Sequence, residues 1–149
     1  MKFYIDTSVF GGFFEEEFKE DTIPFFEYIQ KKGYTILYSE VCQKEISKAP
    51  NKVQELVNSL SNIEIVSINQ EMKNLAELYI REGALRPQDI NDSEHIAIAT
   101  VSSASALISW NFKHMVNFFR IKQYNAINLR EGYRTINIHS PKEAYEQND

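Results

Sequence analysis

The stretch Lys2-Phe-Tyr-Ile-Asp-Thr-Ser-Val-Phe10 decides how the rest of the chain is interpreted. Its apolar run Phe3–Ile5 is short and rich in β-prone residues, as a buried strand would be. The run ends at Asp6, and two hydroxyl residues follow. Ligands of open α/β sheets gather beyond the carboxyl ends of the strands, so Asp6 is placed to hold a cation or a polar substrate. The alternative is that Asp6 only caps the next helix.

The composition is ordinary for a soluble globular protein, since 43% of the 149 residues are hydrophobic and 25% are charged. This length predicts one domain, residues 1–149. Cys42 is the only cysteine, which excludes an intramolecular disulfide and a thiolate metal cluster. We expect it to be a small core residue. No apolar run is long enough to cross a membrane, and no signal peptide is recognisable, so we expect a cytoplasmic protein without a membrane partner.

Strand-like and helix-like segments alternate along the chain. The predicted strands are 3–5, 35–38, 63–66, 106–109 and 135–138. Residues 9–14 are predicted to form a short helix or a turn. The other predicted helices are one capped by Thr22 and stopped at Gly33, one capped by Ser39 and ending before Pro50, then 51–60, 70–82, one capped by Asn91, 112–132, and one opened by Pro141. This alternation predicts an α/β fold with three layers, in which a mostly parallel five-stranded sheet lies between helices.

Glu45 stands out on the helix that follows Ser39. At about 100° per residue, it falls inside the apolar arc formed by Val41, Cys42 and Ile46. A carboxylate is costly to bury unless its charge is compensated, and a metal ion would do so. The alternative is that Glu45 lies at the rim of this arc and bends out to water.

The stretch Asn91-Asp-Ser-Glu-His-Ile-Ala-Ile-Ala99 has a polar first turn before small apolar residues. The apolar part is typical of a helix buried against a sheet. Asp92 is a candidate metal ligand, although the helix dipole favours an acid there in any case. His95 lies on nearly the same face as Asp92. A lone histidine of this kind is more often a hydrogen-bonded structural residue than a ligand, and we interpret it so.

The fourth predicted strand repeats the pattern of the first. Its apolar residues run into Ser109, Trp110 and Asn111. Asn111 can ligate a metal through its carbonyl or hold a metal-bound water. Its alternative role is to begin a turn before the helix that is predicted from Phe112.

Four pieces, taken in order, resemble the PIN-domain ribonucleases, and within them the toxins of bacterial VapBC-type toxin–antitoxin pairs. They are Tyr4-Ile-Asp-Thr-Ser-Val9, Ser39-Glu-Val-Cys-Gln-Lys-Glu-Ile46, Asp92-Ser-Glu-His-Ile-Ala-Ile-Ala99 and Ser109-Trp-Asn-Phe-Lys-His114. The resemblance covers essentially the whole chain. It implies a PIN-like fold with the acids meeting at the carboxyl ends of the strands, a catalytic Mg²⁺ or Mn²⁺ ion, and cleavage of single-stranded RNA.

The same resemblance assigns roles to residues. It implies that Asp6 and Asp92 are direct metal ligands and that Glu45 orients the attacking water or supports the ligands. Thr7, Ser8 and Ser109 would be hydroxyl supports, and Asp89 a loop residue close to the site. Asn111, the fourth catalytic position, departs from the pattern, because many relatives carry aspartate there. One charge fewer puts a second metal ion in question. A cognate antitoxin and a homodimer are also implied.

The net charge of −5 is unevenly distributed. Residues 110–134 carry five basic side chains against Glu131 alone: Lys113, Arg120, Lys122, Arg130 and Arg134. We expect this stretch to attract RNA phosphates, the alternative being scattered solvated charge. Two other functions stay open. One is a PIN-like module that binds RNA or a protein without cutting, and the other, a phosphotransferase, is disfavoured because Ser8 stands where haloacid-dehalogenase-like phosphatases need a second aspartate.

Overall fold

The computed structural model describes residues 1–146. The strands are β1 (Lys2–Ile5), β2 (Thr35–Ser39), β3 (Ile63–Val66), β4 (Ala106–Ile108) and β5 (Ile138–His139). The helices are α1 (Thr7–Gly12), α2 (Lys19–Lys32), α3 (Glu40–Ile46), α4 (Asn51–Ser59), α5 (Gln70–Arg81), α6 (Ile90–Val101), α7 (Phe118–Arg130) and α8 (Pro141–Glu146), with a 3₁₀ turn at Pro87–Asp89. The predicted alternation of strands and helices is confirmed.

All five strands are parallel, in the order β3-β2-β1-β4-β5. Strand β1 is therefore central, and Tyr4 is paired with Leu37 on one side and Leu107 on the other. Since side chains alternate across a strand, β1 sends Tyr4 into the core under α5, α6 and α7, and Phe3 and Ile5 into the opposite core. Helices on both faces complete the predicted three layers.

Helix α6 is buried because its central residues, Ile96–Ala99, are apolar and small enough to lie against the sheet. Its Ser93 hydroxyl donates to the Ala76 carbonyl of α5 at 2.6 Å, which satisfies a polar group inside this layer. Among residues 1–146, no helix has both the length and the apolar character that a membrane crossing requires.

Several predicted boundaries are wrong, for local reasons. Helix α2 starts at Lys19, so Thr22 is an internal residue whose hydroxyl bonds the Phe18 carbonyl. Helix α6 starts at Ile90, directly after the 3₁₀ turn, so Asn91 is not its cap. The predicted helix at 112–132 begins only at Phe118. The last predicted strand, 135–138, is only Ile138–His139.

The late start of α7 has a physical cause. The Asn111 carbonyl accepts the backbone N–H groups of Met115 and Val116, at 3.0 and 2.9 Å, so the chain after β4 closes into a turn. Asn117 then caps α7 by accepting the N–H of Arg120. The predicted cap at Ser39 is confirmed, since its hydroxyl accepts the N–H of Cys42.

Candidate active site

The candidate site lies at the carboxyl edge of the central strands. Asp6 follows β1 and Ser109 follows β4, and the Asp6 N–H donates to the Ile108 carbonyl at 3.0 Å. Helices α3 and α6 start at this edge and bring Glu45 and Asp92 toward the same region. Parallel strands end at one edge, so residues far apart in the sequence meet here.

The Asp6 carboxylate is buried and is held through one oxygen. Its Oδ2 accepts the hydroxyl of Ser109 at 2.6 Å and that of Ser8 at 3.0 Å. Asp6 occupies the position before α1 but makes no side-chain capping hydrogen bond. The alternative role as a helix cap is therefore not what the structure shows. The Thr7 hydroxyl faces away from this carboxylate, to Cys42 Sγ at 3.3 Å.

Glu45 is half-buried and contacts a histidine from the neighbouring helix. Its Oε1 lies 2.6 Å from Nε2 of His95, and the same nitrogen lies 3.8 Å from Oδ1 of Asp6. Burial alone lowers the pKa of His95, but the hydrogen bond to Glu45 and the nearby carboxylates outweigh burial, so that its pKa is raised. His95 is the hydrogen-bonded residue that the sequence favoured, and the carboxylates of Asp6 and Glu45 lie around it.

The other nitrogen of His95 is also bound. Nδ1 lies 2.5 Å from the Tyr4 hydroxyl, which in turn lies 2.6 Å from the Ser39 hydroxyl. Burial raises the pKa of Tyr4 well above its ordinary value, so the phenol stays protonated. This array holds the imidazole plane from inside the core. Tyr4 opens the first of the four sequence pieces, but the sequence gives its side chain no role beyond continuing the apolar run of β1.

Asp92 is joined to two residues of the turn after β4. Its Oδ2 lies 2.9 Å from Nδ1 of His114 and 3.3 Å from Nδ2 of Asn111. Burial raises the pKa of Asp92, the negative charge of Asp6 adds to this, and the hydrogen bond to His114 offsets part of it. His114 was quoted in the sequence motif but given no role. The structure makes it the closest partner of Asp92.

The Asn111 amide has a defined orientation. Its Oδ1 accepts the backbone N–H groups of Lys113 and His114, at 3.1 and 2.9 Å. Only the oxygen of an amide can accept such bonds, so Nδ2 must be the atom that faces Asp92. The side-chain oxygen Oδ1 therefore stabilises the turn, which is the alternative role considered for Asn111. The side-chain NH₂ group contacts Asp92 and orients it.

Asp89 lies beside this cluster with a compensating cation of its own. Its carboxylate accepts Nε of Arg86 at 3.0 Å, and this hydrogen bond lowers the pKa of Asp89. Ligand atoms of Asp89, Asp92 and His114 lie within 4.8 Å of one another. Among residues 1–146 this is the one group of three such side chains whose ligand atoms lie so close together, so Asp6, Glu45 and Asp92 are more widely spaced than that.

The three predicted ligands share a feature that fits a hard divalent ion. Each of Asp6, Glu45 and Asp92 is held through one carboxylate oxygen, and the other oxygen receives no hydrogen bond from residues 1–146. Within that part of the chain they pair with histidines only, never with lysine or arginine. Magnesium and manganese take oxygen ligands, and supporting hydrogen bonds commonly orient such ligands.

Trp110 fixes the chain between Ser109, which bonds Asp6, and Asn111, which contacts Asp92. Its backbone N–H donates to the Ser8 hydroxyl at 3.0 Å, and its indole N–H donates to Thr22 at 2.9 Å. The ring stacks on Phe18 with centroids 4.6 Å apart. Gly12 allows this position, because a Cβ there would lie 2.9 Å from the indole ring.

The five basic side chains of residues 110–134 do not share a face. Arg130 pairs with Glu82 and Glu131, and Arg120 donates to the Ala84 carbonyl at 2.7 Å. Arg134 lines a cleft beside Ser105, at the amino end of β4 and thus at the edge opposite the site. Lys113 and Lys122 are exposed, and Lys122 lies over the Phe118 ring. This distribution favours the alternative of scattered charge for most of the stretch.

Solved structures of toxin–antitoxin complexes contain chains similar to this one. A chain in the crystal structure of VapBC2 from Rickettsia felis, bound to a DNA fragment from their promoter, matches with a TM-score of 0.63 and 18% identity, over 94% of this chain and 98% of that chain. A chain in a toxin–antitoxin complex from Klebsiella pneumoniae matches with a TM-score of 0.55 and 21% identity, over 74% and 87%. Comparison with models of protein families and with curated proteins gives no match.

These matches agree with the architecture described above. An all-parallel five-stranded sheet between helices, with acids at its carboxyl edge, defines a PIN-like α/β fold. The fold is that of VapC-like PIN domains, as the resemblance of the four sequence pieces implied.

Proposed function

We propose that this protein is a metal-dependent endoribonuclease that cleaves single-stranded RNA and acts as the toxin of a toxin–antitoxin pair. The observation that carries the proposal is the placement of Asp6, Glu45 and Asp92 around His95, whose pKa all three raise, each with one carboxylate oxygen held and the other without a hydrogen bond from residues 1–146. Such a set suits a divalent cation, and a bound cation assists phosphodiester hydrolysis by offsetting charge on the reacting phosphate.

In this proposal Asp6 and Asp92 bind Mg²⁺ or Mn²⁺ through their free oxygens. A bound ion of this kind lowers the pKa of a water molecule and offsets the charge of the phosphate. Ser8 and Ser109 hold the Asp6 carboxylate, and Asn111 and His114 hold that of Asp92. Glu45, oriented by His95 at 2.6 Å, is the group that accepts a proton from the attacking water.

The partners follow from the neighbours and from the chemistry. Both similar structures are described as toxin–antitoxin assemblies, so a cognate antitoxin protein is proposed as partner. We further propose that residues 1–149 act as one domain, that two copies form a homodimer, and that the protein works in the cytoplasm, where its RNA substrate is found.

The test is incubation of purified protein with mixed single-stranded RNAs, with Mg²⁺, with Mn²⁺ and with chelator. Cleavage by the wild type with either ion, none with chelator and none by Asp6→Asn are the expected results. Equal cleavage by wild type and Asp6→Asn would assign the activity to a contaminating nuclease and remove the support for the proposal.

One observation, at Asn111, supports an alternative function without catalysis. The amide of Asn111 stands where an acid is common among the relatives that the sequence resembles, and its oxygen is used by the turn. A catalytically inactive PIN-like module that binds RNA or a protein is the alternative. It becomes the better account if the wild type cuts no RNA with either ion.

A further inference from the structure

A cleft of about 620 Å³ opens beside Glu45, between α3, α5 and the start of α6. Three lysines line it: Lys44 in α3, Lys48 just after α3, and Lys73 in α5. We call this the lysine cleft. All three side chains are exposed, and Glu45 connects the cleft to the candidate active site.

The three ammonium groups are not neutralised by the surrounding protein. Within residues 1–146, none of Lys44, Lys48 and Lys73 takes part in an ion pair or a side-chain hydrogen bond. The acids of the cleft are more engaged, since Glu45 bonds His95 at 2.6 Å and Glu40 accepts the Ile68 N–H at 3.4 Å.

Glu94 also lines the cleft and has no such partner among the described residues. A hydrogen bond from a backbone N–H does not neutralise Glu40, so once Glu45 is paired with His95 the lysine cleft holds three unpaired cations against the two acids Glu40 and Glu94. An anionic ligand is the kind that this surplus attracts.

We propose that the lysine cleft binds the backbone phosphates of the RNA strand on one side of the bond that is cut. This inference rests on the proposed ribonuclease function. Lysines are mobile point charges and lack the planar fork of arginine, so three of them spread over two helices suit a repeating polyanion better than one small ligand of fixed shape. Phosphate contacts position a strand without reading its bases, so the cleft aligns RNA for the site whatever its sequence.

The lysine cleft also provides the phosphate-binding surface that the sequence led us to expect from residues 110–134. Arg130 is paired with Glu82 and Glu131 at the surface, Arg120 donates to the Ala84 carbonyl, and Arg134 lies at the opposite edge of the sheet. Lys73 is far from Lys44 and Lys48 in the sequence, and Glu40, Glu45 and Glu71 stand near them, so local charge counting does not group the three lysines.

The experiment compares two triple variants that remove the same charge. One is Lys44→Ala/Lys48→Ala/Lys73→Ala in the cleft. The matched control is Lys31→Ala/Lys32→Ala/Arg134→Ala, whose residues are exposed and lie toward the amino edge of the sheet. Both are made in the Asp6→Asn background, which the proposed function expects not to cut. Binding of a fluorescently labelled single-stranded oligoribonucleotide of mixed sequence is measured in chelator over a range of salt concentrations.

The control should bind as its parent does, whereas the cleft variant should bind more weakly. Each lost phosphate contact lowers the slope of log affinity against log salt by about 0.7 for single strands, so three contacts lower it by about 2. Lys→Arg changes at the same three positions keep the charge and should restore both affinity and slope.

The cleft proposal is overturned if both triple variants lose the same affinity, because net charge alone then acts. It is also overturned if the cleft variant keeps the parental slope, or if the parent binds no RNA. A weakened cleft variant supports the cleft as the RNA site even if the wild type cuts nothing, in which case only the nuclease function fails. Wild-type cleavage together with an unchanged cleft variant leaves the nuclease and removes the cleft.

Discussion

Nε2 of His95 lies 2.6 Å from Oε1 of Glu45, in a contact that joins α6 to α3 inside the candidate site. Burial would by itself lower the pKa of this histidine. Hydrogen bonding to Glu45 and the charges of Asp6, Glu45 and Asp92 reverse the direction, so the folded protein holds the imidazolium more tightly than the unfolded chain does.

The first prediction concerns pH in the absence of metal. A folded pKa above the unfolded value of about 6.5 stabilises the fold fully below that pH, and the stabilisation is lost as pH rises through the folded pKa. The metal-free wild type should therefore lose free energy of unfolding as pH rises above about 6.5, whereas His95→Gln should lose much less. Urea unfolding in chelator at a series of pH values measures both. Equal pH slopes for the two proteins would contradict the assignment to His95.

The second prediction concerns the ion. Divalent metal relieves the repulsion among three carboxylates, so Mg²⁺ or Mn²⁺ should raise the melting temperature, by an amount equivalent to about 2.7 kcal/mol at a hundredfold excess over the dissociation constant. Asp6→Asn and Asp92→Asn should remove most of this gain and abolish RNA cleavage, while the metal-free stability of Asp92→Asn holds or rises because burial disfavours the charge of Asp92 and raises its pKa. Glu16→Gln, at an exposed pair with Lys19, is the control that should respond as the wild type does. A melting temperature indifferent to millimolar metal would argue strongly against the site.

The third prediction uses the contact between Asn111 and Asp92. Asn111→Asp keeps an oxygen for the turn but turns the donor at 3.3 Å from Asp92 into a second carboxylate oxygen. Two like charges at this distance should raise the pKa of Asp92 further and destabilise the metal-free protein. Metal should then stabilise this variant more than the wild type, and cleavage should rise or change its metal preference. Thermal melts with and without Mn²⁺ test this.

Asn111→Ala is the matched control for that variant. It removes the side-chain oxygen that accepts the His114 N–H in the turn, and also the NH₂ group that donates to Asp92. It should therefore destabilise the protein equally with and without metal. If Asn111→Asp and Asn111→Ala behave identically, the contact with Asp92 has no electrostatic role.

The fourth prediction compares neighbouring glycines of α1. A Cβ on Gly12 would lie 2.9 Å from the Trp110 indole, which is held by Thr22 and Phe18, so Gly12→Ala should destabilise by about 1–3 kcal/mol. A Cβ on Gly11 meets only the end of the Glu15 side chain, at 3.3 Å, which can move. Gly11→Ala should therefore be neutral or stabilise by up to about 1 kcal/mol through helix propensity. Denaturant unfolding that ranks the two variants the other way would contradict this account of Trp110.

Much of the fold could be predicted because strands such as Phe3–Ile5 and Ala106–Ile108 carry their own apolar signal. Asp6 could be predicted as a candidate site residue for the same reason, since it stands where such a run ends, whereas the role of Ser109 was implied by the family resemblance. The hydrogen-bond partners of buried polar side chains could not be predicted in this way. The contact between Tyr4 and His95 spans 91 positions, and no periodic pattern records it.

The errors came from interactions of the same distant or irregular kind. The helical pattern after Phe112 is real, but the turn bonded by Asn111 takes precedence over it until Phe118. Arg130 was counted as free charge because Glu82, its partner 48 positions earlier, is brought to it only by the packed helices. Pairings of this kind depend on the tertiary structure.

The hydrogen bond between Ser109 and Asp6 joins residues 103 positions apart. Strand β1 leaves a ribosome before the other four strands, yet one of its two neighbours, β4, follows only after β2, β3 and six helices have been made. Non-local pairing of this kind forms late and slowly. The acidic site therefore cannot form until residue 109 has been synthesised. A chain that ends before residue 109 would carry Asp6 without the Ser109 hydroxyl that holds its carboxylate.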